Sequence, residues 1–149
     1  MKIPQKAGWI YIDTSTYLKS LLKEKDSDKA RKLLKEKSLL SSAILTSESF
    51  SAFSRRKQGK ELDEKTFDKL VRRVKKELPY IEIIKVTDDV LRKTEEVALR
   101  STARTLDAIH IASALLFQEL TGIELTFVTS DKKQEEVAKD EGLKTLFIG

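Results

Sequence analysis

The strongest constraint on this chain is a regular alternation of short apolar runs with longer amphipathic ones. WIYI (9–12), LLSSAIL (39–45), IEIIKV (81–86), ELTFV (124–128) and LKTLFI (143–148) carry β-branched and aromatic residues and are strand-sized. Between them apolar residues recur at three- and four-residue spacing over 15–23, 27–37, 47–57, 62–78, 88–100, 106–120 and 131–141, which predicts helices. Thr46 and Thr87 are expected N-caps, Pro79 a helix stop and Gly142 a C-terminal cap. Strands separated by helices cannot close as hairpins, so they pair in parallel through crossovers. The expectation is an α/β fold: a single three-layer α/β/α domain over residues 1–149 with a central, mainly parallel sheet. A chain of this length can bury one sizeable core, and no repeat, low-complexity segment or linker divides it.

In such a fold the ligand crevice lies outside the carboxyl ends of the strands. Acids fall there. Asp13 directly follows WIYI, Glu48 sits just inside the helix after SSAIL, and Asp131 follows LTFVTS. Asp107 opens TLDAIHIASALL, a helix apolar on most of its faces whose polar edge is Asp107, His110 and Ser113. Each acid alone has a simple role, since a carboxylate in a first helical turn meets unpaired N–H groups, worth roughly 0.3–1 kcal/mol. Convergence would be another matter. Two carboxylates at about 5 Å repel by roughly 3 kcal/mol at an effective dielectric of 20, which calls for raised pKa values or a bound cation.

The chain has no cysteine and one histidine. Disulfides, thiolate metal sites, cysteine nucleophiles and multi-histidine zinc clusters are excluded together. Metal chemistry would use oxygen ligands, which suits Mg²⁺ or Mn²⁺. The net charge of +5 is compatible with a polyanionic partner. MKIPQKAGWIYID lacks the apolar core of a signal peptide, and no run is long enough to span a membrane, so a cytoplasmic protein is expected. Asp13 is followed by Thr14 and Ser15, so the Asp-x-Asp of haloacid-dehalogenase-type phosphatases is missing. WIYID also lacks the acidic pair of receiver domains, and no phosphate-cradling glycine loop or G-x-S-x-G elbow occurs.

YIDTSTYLK, TSESFSAF, TLDAIHIASAL and TFVTSD resemble, in order and spacing, the four acidic motifs of PIN-domain nucleases, and most of all the VapC-type toxins of toxin–antitoxin pairs. The resemblance runs from Asp13 to the final strand. It implies that Asp13, Glu48, Asp107 and Asp131 form a catalytic cluster holding one or two Mg²⁺ or Mn²⁺ ions, with Thr129 and Ser15 as polar support at the rim. It implies metal-assisted hydrolysis of RNA phosphodiesters, a cognate antitoxin that blocks the site, and a homodimer.

Other residues keep two readings. His110, one turn after Asp107 and able to touch it, is a satisfied core histidine or else a partner of that acid or a substrate contact, and Ser113 a packing residue. Arg55 and Arg56, in the run Arg55, Arg56, Lys57, Lys60, Lys69, Arg72, Arg73, Lys75 and Lys76, are best placed to approach substrate. The rest of that run is a solvated face, an RNA track or an antitoxin dock. Tyr17, Phe50 and Phe53 are expected in the core. Two alternatives to a ribonuclease use the same features: an inactive PIN-fold module that binds RNA, and a metal-dependent DNA nuclease or phosphatase.

Overall fold

The computed structural model describes residues 8–149. The reading of the first residues as free of a signal sequence falls, for residues 1–7, outside that range. Five strands, β1 (Trp9–Ile12), β2 (Ser38–Ser42), β3 (Ile81–Ile84), β4 (Thr126–Thr129) and β5 (Lys144–Phe147), form one sheet in the order β3-β2-β1-β4-β5. Every pairing is parallel, with Tyr11 opposite Leu40 on one side and Phe127 on the other. The order reverses between β1 and β4, the two strands that flank the crevice such sheets open at a switch point.

Side-chain alternation along the central strands separates two cores. Ile10, Ile12 and Val128 pack with Tyr17, Leu21, Leu45, Phe53, Leu70 and Val74 on one face. These come from α1 (Thr14–Leu21), α3 (Leu45–Gln58) and α4 (Glu64–Glu77), with α2 (Ser27–Glu36) adding Ala30. Tyr11, Leu40 and Phe127 pack on the other face with Val97, Ala108, Ile111, Ala114, Val137 and Ala138. Those lie on α5 (Asp88–Arg100), α6 (Thr105–Thr121) and α7 (Lys132–Asp140). The three layers and the parallel sheet match the expectation, and Tyr17 and Phe53 are buried with Phe50 packed against them.

Helix ends follow the chemistry of their residues. Thr87 caps α5 by accepting from Val90 N–H. Gly142, at φ 89°, lets Leu143 N–H return to the Ala138 carbonyl and Gly142 N–H to that of Lys139, closing α7 in a left-handed turn. Asp63 accepts from Thr66 N–H and starts α4 two residues later than the periodicity suggests. α4 ends at Glu77, just short of Pro79 as expected, and Pro79 itself lies in a 3-10 turn, Leu78–Tyr80. The largest difference is at β2. The strand ends at Ser42, and α3 begins at Leu45 with Ile44 as an N-cap that makes no side-chain bond, so Thr46 lies inside the helix. Leu45 is fully buried, but under a helix and not in a strand. No helix among the described residues is long and apolar enough to cross a membrane.

Candidate active site

The four acids reach one cavity of about 500 Å³ at the carboxyl ends of the central strands. Asp13, Glu48, Asp107 and Asp131 all line it, together with Thr14, Ser15, Arg55, Leu106 and His110. Four elements therefore deliver one acid each, from the end of β1, the first turns of α3 and α6, and the start of α7.

Asp13 is the most enclosed, 3% exposed, and is the N-cap of α1. Its Oδ1 accepts from Thr16 N–H (3.1 Å) and the Ser15 hydroxyl (2.7 Å), and its Oδ2 from the Thr129 hydroxyl (2.6 Å). Burial pushes its pKa above the usual range, although His110, Ser15, Thr129 and the Thr16 N–H pull the other way. Thr129 is fully buried, so it stands behind Asp13 rather than at the rim. Its oxygen also accepts from Asp131 N–H at 3.0 Å, tying two of the acids together. Ser15 lies at the cavity wall and also accepts from Ser130 N–H.

Asp131 is the N-cap of α7, its Oδ1 accepting from Lys133 and Gln134 N–H. Glu48, half-buried, is turned toward His110. Its Oε1 lies 2.8 Å from Nε2 of His110 and accepts from the Thr14 hydroxyl at 2.5 Å. Burial opposes its ionisation, but His110 and Thr14 outweigh burial and hold the carboxyl below its usual pKa. His110 is 1% exposed and satisfied at both nitrogens, with Nδ1 2.7 Å from the Tyr11 hydroxyl. It is thus a core histidine and a partner of an acid at once. It makes no hydrogen bond to Asp107 among the described residues. Ser113 donates to the Ile109 carbonyl as a packing residue would.

Asp107 differs from the other three. It sits in the first turn of α6, yet its carboxylate forms no hydrogen bond among the described residues, so the expected capping contact is missing. Burial and then the nearby Asp131 push its pKa up, Asp13 and Glu48 add to this, and His110 opposes it. Its backbone carbonyl is held by the Gln134 side chain at 2.9 Å.

Arg55 lines the cavity and, among the described residues, donates only to Ser51, whereas Arg56 turns away to pair with Glu61 at 3.6 Å. Lys57 and Arg73 pair with Glu64 and Glu77. Of the basic run, Arg55 alone lines the cavity formed by the described residues. Thr14 and Tyr11 escaped the sequence reading. The only available signal was a hydroxyl beside Asp13 for Thr14, and there was none for Tyr11.

The donor set fits a hard divalent cation in kind, being all oxygen, with burial and then an excess of negative charge raising the pKa of Asp107. As they stand, among the described residues no three acids or histidines form a group able to hold an ion. Three of the four carboxylates are instead committed to caps or to His110.

Replacing Thr129 by valine keeps the shape but strips one donor from Asp13 Oδ2 and an acceptor from Asp131 N–H. We expect a loss of about 1–3 kcal/mol in stability, read from urea unfolding. An unchanged midpoint would show that these bonds do not hold the site.

A family model described as the PIN domain matches residues 10–140. The fold is similar to that of the VapBC2 structure from Rickettsia felis bound to a promoter DNA fragment, with 14% identity, 95% of this chain and 99% of that chain covered, and a TM-score of 0.67. It is similar also to Mycobacterium tuberculosis VapC20, described as a Sarcin-Ricin loop cleaving toxin, with 16% identity, 85% and 93% covered, and a TM-score of 0.64. A third likeness is to PAE2754 from Pyrobaculum aerophilum, with 20% identity, 93% and 83% covered, and a TM-score of 0.57. No curated protein matches the chain.

Proposed function

Since the chain belongs to the PIN-domain family, we propose that it is a metal-dependent endoribonuclease, the toxin of a VapBC-type toxin–antitoxin pair. The observation that carries this reading is the convergence of four carboxylates, from four separate elements, on one cavity with Arg55 at its wall. Asp13, Glu48, Asp107 and Asp131 are the residues that would hold one or two Mg²⁺ or Mn²⁺ ions. A bound divalent ion supplies an acidified water and charge neutralisation at the phosphate. The chain's own residues do the rest. Ser15 and Thr129 fix Asp13 in one orientation, and His110 with Thr14 keeps Glu48 ionised. Arg55 offers its guanidinium to a phosphate oxygen, and the net charge of +5 favours a polyanionic substrate.

An antitoxin that occupies this cavity is the partner this reading implies, supported by the fold's likeness to chains of VapBC complexes. The reading further takes the chain as one cytoplasmic domain over residues 1–149 that forms a homodimer.

The test is direct. Incubated with a panel of structured RNAs, the protein should cleave in Mg²⁺ or Mn²⁺ and stop in chelator, with double-stranded and single-stranded DNA left intact. RNA binding without cleavage would overturn the enzymatic reading in favour of a binding module. Cleavage of DNA in place of RNA would overturn the substrate assignment.

A further inference from the structure

Tyr11 lies in the middle of the central strand, fully buried, with its ring stacked on Phe127 at 5.3 Å and edge-on to His110 at 5.7 Å. Its hydroxyl ends 2.7 Å from Nδ1 of His110. On the far side of the imidazole, Nε2 faces Glu48 Oε1 at 2.8 Å and Thr14 Oγ1 at 3.1 Å. The Thr14 hydrogen is already given to Glu48, and an ionised carboxylate can only accept. Nε2 must therefore bring the hydrogen. A neutral imidazole has a single N–H, which leaves Nδ1 as an acceptor and Tyr11 as its donor.

We propose that Tyr11 is a positioning residue acting through His110: Glu48 keeps the proton on Nε2, the Tyr11 hydroxyl donates to the remaining Nδ1 and anchors the ring, and the Nε2–H so held fixes the Glu48 carboxylate at the cavity wall. The relay runs from β1 through α6 to α3, three elements brought together only by the fold. Metal-binding sites commonly orient their ligands through such outer hydrogen bonds. The functional consequence rests on the proposed role of Glu48, whereas the proton's position does not.

The chain has one histidine, so its imidazole nitrogens give unambiguous signals. Long-range proton–nitrogen correlation, at about two pH units above the ordinary imidazole pKa, reads the tautomer without metal or RNA. The wild type should carry its proton on Nε2. Tyr11→Phe should keep the proton on Nε2, where Glu48 holds it, but lower kcat about 10–100-fold, with KM for RNA changed by no more than about threefold. His110→Gln keeps an N–H toward Glu48 and no longer needs Tyr11, so adding Tyr11→Phe to it should leave kcat unchanged.

A proton on Nδ1 in the wild type overturns the proposal, whether or not the variant folds. So does a folded Tyr11→Phe protein with unchanged kcat. If the wild type cleaves no RNA, the nuclease reading fails while the tautomer measurement still decides the relay.

Discussion

Asp13→Asn will lower RNA cleavage by at least about 100-fold while leaving the fold intact. The two effects separate because Asp13 has a structural role that asparagine can fill and an electrostatic one that it cannot. As an N-cap it needs an oxygen to accept from Thr16 N–H, and the asparagine carbonyl provides one. The new amide group would face the Thr129 hydroxyl, which can rotate to accept. Burial already disfavours the charged form of Asp13, so a neutral side chain brings no new desolvation cost. The lost unit of charge at the base of the cavity is not replaced. Removing partners that merely orient metal ligands typically costs 10–100-fold, and removing a ligand should cost at least the upper end of that range. Single-turnover cleavage and thermal unfolding, run on the same preparations, check both halves. Cleavage within about tenfold of wild type would show that the chemistry lies elsewhere, and a collapsed midpoint would show that the charge, not the cap, holds α1.

The sheet was legible because each strand announces itself by composition and each but the last is followed by a helix, which leaves little choice but parallel pairing. The end of β2 was not legible. Leu39–Leu45 is one apolar run, but its last residue belongs under α3, and a buried strand and a buried helical turn are equally apolar. The acids stood out because each lies just past a strand end or in a first helical turn. What joins them did not, since Thr14 and His110, or Tyr11 and His110, are nearly a hundred positions apart and meet only through packing. Arg55 and Arg56 read alike in sequence. Adjacent helix positions diverge by about 100°, so one faces the cavity and the other Glu61.

Asp107→Asn should move stability and activity in opposite directions. The wild-type carboxylate is half-buried, lacks a hydrogen bond among the described residues, and is pushed above its usual pKa by burial and then by Asp131. The helix N-terminus favours its charge by about 0.3–1 kcal/mol, but a raised pKa means that the unfavourable contributions prevail. The sign follows from proton binding. Between the usual carboxylate pKa and the raised one, the folded state binds more protons than the unfolded chain, so stability falls as pH rises through that window. Asparagine removes this dependence. At neutral pH the variant should be more stable, by no more than about 1 kcal/mol because solvent screens a half-exposed group, which is roughly 2–4 °C in unfolding midpoint. The advantage should vanish below the usual carboxylate range, where Asp107 is protonated in both states. Cleavage should fall on the order of 100-fold, because the least committed carboxylate is also the one freest to meet a cation. Mn²⁺ should then stabilise the wild type, by about 2.7 kcal/mol at a hundred times its Kd, and the variant far less. A variant less stable than wild type at neutral pH would mean that Asp107 serves the fold as a helix-end charge, and that its isolation among the acids is not a cost borne for catalysis.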